Sequence, residues 1–300
     1  MSGMSMALAM LIANPVVLGT TPEATEASAG ETLQGASDEY SRMTIEVAVH
    51  GAGPYRFLID TGSQRTVVST ALAGALGLVP GPQVRVVGMA GAQDVATAQV
   101  NSINVGKRSF YDLLVPLLER SNIGADGILG TDSLQHQRVL LDFARNTIRI
   151  GNPQELGGTR DFEIVVQAKR RSGRLILTNA TIDGVRVDVV IDTGASGTVG
   201  NRALQRALAR KSSERSTIRG SISSVTGHDL PVDFAVARNL EIGRVSLANV
   251  IVAYGDAPAF TELKLAKGPA IFLGMREMRG FRRVAIDFST RKVLFDLAGD

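Results

Sequence analysis

Two aspartates carry the strongest chemical signal in this chain. Asp60 and Asp192 each follow three apolar residues, Phe57-Leu58-Ile59 and Val189-Val190-Ile191, and each opens an Asp-Thr-Gly triplet. Ser63 follows the first triplet and Ala195 the second. An apolar run ending this way reads as a buried strand that delivers a carboxyl to a tight turn. Two carboxyls brought to one place form an acid–base pair, because like charges that close cannot both ionise and one retains a proton. Such a pair can take a proton from water and give one to the carbonyl that the water attacks. Thr61 and Thr193 are expected to exchange hydroxyl hydrogen bonds with the opposite loop. Gly62 and Gly194 are expected to let the backbone approach the carboxyls without a Cβ, with their amides as donors. A Ser63 hydroxyl donated to Asp60 would favour its charged form, which leaves Asp192 to hold the shared proton. The alternative is that Ser63 satisfies backbone groups only, and the titration belongs to the pair in either case.

The elements that position these residues occur twice. Besides the two triplets, residues 103–115 match 240–252 at apolar positions, glycine and serine. Ile128-Leu129-Gly130 matches Phe272-Leu273-Gly274, and residues 139–150 match 284–295. Four blocks in one order, the aspartates offset by 132 residues, indicate an internal duplication. Short alternating runs such as Ile45, Val47 and Val49, separated by glycine turns, make both copies strand-rich. The expected architecture is all-β and bilobal, two homologous barrel-like lobes with short helices near 71–78 and 201–211. The lobes are expected at 41–152 and 162–300, joined by a linker at 153–161.

Composition narrows the function. Of 300 residues none is cysteine, which excludes disulfides, thiol catalysis and cysteine-ligated zinc. His50, His136 and His228 stand far apart, so a histidine-rich metal site is not expected. The net charge is only +3, aromatic residues are 5% and tryptophan is absent, which offers little for stacking on bases. Arg202, Arg206 and Arg210 recur at helical spacing. We read them as a solvated face, with a polyanion site as the less favoured reading, and expect no nucleic-acid partner.

The paired Asp-Thr-Gly triplets, each with its apolar-apolar-Gly block, resemble the aspartic proteases, specifically the retropepsin-like branch. The resemblance covers about 260 residues. Viral members use two identical subunits; this chain carries both halves, as pepsin does, and is similar to bacterial exported single-chain enzymes. The resemblance implies an aspartic endopeptidase with Asp60 and Asp192 as the catalytic pair, no metal or cofactor, a peptide or protein substrate and a monomeric state. It implies that Ile128-Leu129-Gly130 and Phe272-Leu273-Gly274 pack behind the catalytic loops. It also implies flaps that hold an extended peptide, drawn from Gly88, Met89, Ala90 and Gly91 in the first lobe and Ser223, Ser224 and Val225 in the second. His228 falls beside the second flap and is a secondary candidate for shaping specificity. The rival reading is a non-catalytic peptide-binding protein on the same fold.

Residues 1–40 differ from the rest. The apolar run at 7–19, interrupted by Asn14-Pro15, is too short to span a membrane and suits the core of a secretory signal. Ala27-Ser28-Ala29 offers a cleavage pattern, although no lysine or arginine precedes Arg42. Export to the periplasm or outside is expected, with a cytoplasmic protein carrying a loose N-terminal tail as the alternative. The lack of basic residues, with Glu23, Glu26, Glu31, Asp38 and Glu39 present, argues against a cationic plug between the aspartates. The segment is therefore read as targeting sequence and linker.

Overall fold

Ile45, Val47 and Val49 alternate with polar neighbours, and in the structure they face inward from the strand Met43–Val49, each at most 1% exposed. His50 and Gly51, with φ of 52° and 77°, turn the chain into Ala52–Ile59, whose last three residues are buried. The left-handed conformation that this turn needs is one glycine adopts without steric cost. The computed structural model describes residues 7–8, 10–12, 32–38, 40–211 and 216–298, and no helix among them is long and apolar enough to cross a membrane.

Among the described residues the strands form three sheets. Two are nine-stranded, one per lobe, and their strands follow the same spatial order once the duplicated elements are matched. The bilobal all-β architecture expected from the sequence is therefore what the chain adopts. The third sheet has six strands and is shared, in the order Ile164–Gln167, Lys292–Leu297, Phe281–Asp287, Arg138–Asp142, Thr147–Gly151 and Thr32–Gln34. At its centre the fourth repeated block pairs with its own copy, Leu140 opposite Ala285. A buried ion pair, Arg138 to Asp287 at 2.9 Å, crosses the same seam.

The boundaries read from the sequence shift slightly. Thr32–Gln34 and Ala36–Ser37, expected as linker, are strands paired with Thr147–Gly151 and Met43–Val49. The expected inter-lobe linker includes a single 3-10 turn, Thr159–Asp161, between two strands of the shared sheet. Of the two expected helices, the first is Thr70–Ala75, opened by Ser69, whose hydroxyl accepts the Leu72 N–H at 3.2 Å. The second is Arg202–Lys211, anchored by buried Leu204 and Leu208. Arg206 and Arg210 on this helix are exposed and Arg202 pairs with Asp233, which fits a solvated face.

Candidate active site

Each aspartate stands just past the buried end of a strand, Ala52–Ile59 for Asp60 and Val185–Ile191 for Asp192. Gly127–Leu129 and Ala270–Leu273 run parallel to those strands. The carbonyls of Leu129 and Leu273 accept the N–H groups of Asp60 and Asp192, both at 3.1 Å. Glycine is required just beyond: a Cβ on Gly130 would lie 2.3 Å from the Arg65 carbonyl oxygen, and one on Gly274 the same distance from that of Gly197. The apolar-apolar-Gly blocks thus clamp the backbone of the aspartates, the packing role expected of them.

The loops then interlock. Asp60 Oδ1 accepts the amides of Gly62 and Ser63 at 2.8 and 2.9 Å, and Asp192 Oδ1 those of Gly194 and Ala195 at 3.0 and 3.2 Å. Thr61 Oγ1 donates to the Ile191 carbonyl at 2.9 Å and accepts the Thr193 N–H at 3.2 Å. Thr193 Oγ1 mirrors this, donating to the Ile59 carbonyl at 2.7 Å and accepting the Thr61 N–H at 3.0 Å. A Cβ on Gly62 would lie 2.5 Å from the Asp192 carboxyl carbon, and one on Gly194 would lie 2.3 Å from that of Asp60. Each carboxyl therefore rests against the backbone of the other lobe's loop, which brings the two together.

Burial raises the pKa of Asp60 from its ordinary value of 3.8 to about 6, against the lowering pull of the Gly62 amide, Arg174, the Ser63 amide and Arg42. Asp192 is pushed up further, by burial first and then by the charge of Asp60. Its Oδ2 is buried and has no hydrogen-bond partner among the described residues, in keeping with an oxygen that carries a proton. Burial thus raises both carboxyls, and the charge of Asp60 adds to the rise at Asp192. Of the two readings of Ser63, the structure shows the one in which it satisfies backbone groups. The Ser63 hydroxyl donates to the Arg65 carbonyl at 2.8 Å, and only its backbone amide reaches Asp60. Arg174 lowers both carboxyls, and Arg42 lowers Asp60 as well.

Two site residues went unrecognised in the sequence. Arg42 and Arg174 are fully buried, and each reaches across to the other lobe's Asp-Thr-Gly loop. Arg174 Nε donates to the Gly62 carbonyl at 2.7 Å and Arg42 Nη1 to the Gly194 carbonyl at 3.5 Å. Arg42 also pairs with Asp38 at 2.6 Å, so that acid of the tail is neutralised locally. The signal was present: the arginines are separated by 132 positions, as the aspartates are.

The segments expected as flaps are hairpin tips. Val79–Gly88 pairs with Ala92–Val105 around Met89, Ala90 and Gly91; Ile218–Ser224 pairs with Asp229–Ile242 around Val225. The two tips touch, since a Cβ on Gly88 would lie 2.3 Å from Ser224 Oγ and one on Gly91 lies 3.0 Å from the His228 ring. They also exchange anchors. Val87 and Met89 join the buried cluster of the second lobe, with Ala195 and Phe260, while Val225 joins that of the first, with Leu58 and Ile123. Ser223 is half-buried and its hydroxyl donates to Asp229 at 2.6 Å. His228 meets Thr226 at 3.1 Å, at the contact between the tips.

The profile of the family described as aspartyl protease matches residues 45–133 and 178–276. Among curated proteins the chain is similar to DNA damage-inducible protein 1 of Cryptococcus neoformans var. neoformans serotype D. It is 29% identical over 134 residues, which cover 43% of this chain and 30% of that protein, in each of two strains. The chain thus spans less than a third of the relative's own length.

Proposed function

Because the chain belongs to the aspartyl protease family, we propose that it is an aspartic endopeptidase that hydrolyses peptide bonds through one water activated between Asp60 and Asp192. The observation that carries this reading is the seating of each carboxyl against the glycine of the opposite loop, where burial raises both. Asp60, the more acidic of the two, is the base that takes a proton from the water. Asp192 holds the shared proton and gives it to the carbonyl oxygen, so that a neutral tetrahedral diol forms. Its collapse returns a proton to the leaving nitrogen and breaks the C–N bond. The Thr61–Thr193 interlock fixes the relative position of the two carboxyls, and so supplies orientation rather than proton transfer.

Both aspartates lie on one chain, and the shared six-stranded sheet ties the lobes that carry them. A monomer therefore holds a complete pair in this reading, and specific activity is independent of dilution. The test is digestion of a proteome-derived peptide library, read by mass spectrometry, with the Asp60→Asn and Asp192→Asn variants alongside. Cleavage that vanishes in both variants while each keeps its fold supports the proposal. Binding of peptides without turnover from pH 3 to 8 would favour the non-catalytic alternative.

A further inference from the structure

The two lobes are related by an internal duplication, yet two equivalent segments beside the aspartates differ sharply in charge. Residues 37–42 and 169–174 are offset by 132 positions, as the aspartates are. Both end in an arginine that crosses to the other lobe, Arg42 and Arg174. The first, Ser-Asp-Glu-Tyr-Ser-Arg, holds two acids and one cation, and Asp38 neutralises Arg42. The second, Lys-Arg-Arg-Ser-Gly-Arg, holds four cations and no acid.

Local structure aims two of these cations. Lys169–Arg171 is an exposed edge strand of the second lobe's sheet, paired with Arg174–Ile182. Ser172 and Gly173, with φ of 47° and 80°, make the two-residue turn between them. Directly opposed residues point to the same face of a sheet. Lys169 lies opposite Ile176 and Arg171 opposite Arg174, whereas Arg170 lies opposite Leu175 and points to the other face. Ile176 belongs, with Val190 and Ala195, to the buried cluster that receives Met89 of the first lobe's hairpin tip. Lys169 and Arg171 therefore carry that face out to the sheet edge. The turn is also fastened beside the aspartates. The Ser172 carbonyl accepts Gln64 Nε2 at 3.1 Å, and a Cβ on Gly173 would lie 2.8 Å from Thr131 Oγ1. Arg171 Nη1 donates to the Leu263 carbonyl at 2.8 Å, next in the chain to exposed Lys264. Among the described residues neither Lys169 nor Arg171 forms an ion pair. The nearby acid of the Leu263 loop, Glu262, bears on Arg174.

We propose that this basic rim is a subsite for an acidic side chain of the substrate, with Lys169 and Arg171 as the residues that select it. The inference rests on the protease reading and gives it a substrate class: peptides with aspartate or glutamate on one side of the cleaved bond. The rim also sets direction. Two equivalent lobes offer an extended peptide similar main-chain partners whichever way it runs, and main-chain pairing carries affinity rather than side-chain information. Charge breaks that tie. A carboxylate on one arm of the peptide meets Lys169 and Arg171; with the peptide reversed it meets the segment 37–42, whose acids outnumber its cations.

The test uses the full chain and a proteome-derived peptide library. Peptides cleaved by the wild type, and those retained by the Asp192→Asn variant, are sequenced by mass spectrometry. Cleaved peptides should be enriched in Asp or Glu on one side of the bond only. Two reporters built on the best-cleaved sequence, with Glu or its isostere Gln at that position, then separate charge from shape. We expect KM to be about three- to tenfold lower for the Glu reporter, as two exposed ion pairs would give, with kcat unchanged. The gap should close at high salt. Lys169→Glu with Arg171→Glu should turn the preference toward a Lys reporter, while Arg171→Lys should keep it for Glu. Acid enrichment on both sides or on neither, or a preference that survives the double charge reversal, would overturn the proposal. Binding of single-stranded DNA that the reversal abolishes, with the Glu and Gln reporters cleaved alike, would assign the rim to nucleic acid and overturn it too. If the wild type cleaves no peptide, the protease reading fails, and the retained peptides decide the rim separately. Acid-rich retention that the charge reversal removes upholds it; acid-poor retention overturns it.

Discussion

Arg174 and Arg42 stand in opposite lobes and each donates to the carbonyl of the Asp-Thr-Gly glycine in the other, Arg174 to Gly62 and Arg42 to Gly194. The exchange is not equal. Arg42 is neutralised by Asp38, whereas Arg174 Nη2 is buried without a partner among the described residues. Arg174 therefore keeps more of its charge for the dyad, and it is the largest arginine influence holding Asp60 down.

Replacing Arg174 with methionine should move the acidic limb of the pH–rate profile. Removing a cation that lowers the Asp60 pKa raises it, so the base form is reached only at higher pH. We expect the limb to shift upward from about 6, with a loss of about 1–3 kcal/mol in stability from the unpaired Gly62 carbonyl. Arg42→Met should shift the limb less. Profiles of kcat/KM for the two variants measure the difference.

The wild-type profile should be bell-shaped. Activity needs Asp60 ionised and Asp192 protonated, so it rises as pH passes about 6 and falls once Asp192 loses its proton at higher pH. An optimum below pH 4 would contradict the burial that sets these values.

Stability should follow the opposite sign from the usual surface carboxylate. Asp60 has a folded pKa above its ordinary 3.8, so between these values the folded state binds more protons than the unfolded one. Its contribution is fully present below about pH 4 and is lost as pH rises through about 6, a change of roughly 3 kcal/mol. Denaturant midpoints across this range should fall for the wild type, and the Asp60→Asn variant should fall less steeply while keeping the part due to Asp192, which burial also raises.

Gly62→Ala and Gly194→Ala should each abolish turnover. The added methyl would sit 2.5 or 2.3 Å from the opposite carboxyl carbon, and the loops must separate to admit it. Overpacking of this kind costs about 1–3 kcal/mol, so both variants should fold with lowered melting temperature, measured by calorimetry.

Thr61→Val and Thr193→Val should show strong coupling. Each hydroxyl donates to one lobe's strand and accepts an amide from the other loop, so either change loosens the same interlock. A double-mutant cycle in unfolding free energy should give an interaction of about 0.5–3 kcal/mol; strict additivity would show that the threonines act separately.

The sequence by itself determined the duplication, the all-β class and the two aspartates, because each rests on local chemistry: apolar runs end in Asp-Thr-Gly, and glycine recurs where backbones must cross. It placed the hairpin tips for the same reason, since hairpins are local. Only the tertiary structure decided which strands from the two copies would meet, because pairing partners are set by packing between distant segments. That is why the fourth block pairs with its own copy, Leu140 opposite Ala285, and why Thr32–Gln34 joins the shared sheet. Arg42 and Arg174 escaped notice because an arginine is ordinarily a surface residue, and only the fold buries them against carbonyls of the opposite lobe. The Ser63 hydroxyl turned to a nearby carbonyl for a similar reason: rotamer and distance, which no spacing encodes, chose the Arg65 oxygen over Asp60. Likewise the tail's lack of cations ruled on charge alone, whereas the strand pairing of Ala7–Leu8 and Met10–Ile12 uses backbone groups that every sequence possesses.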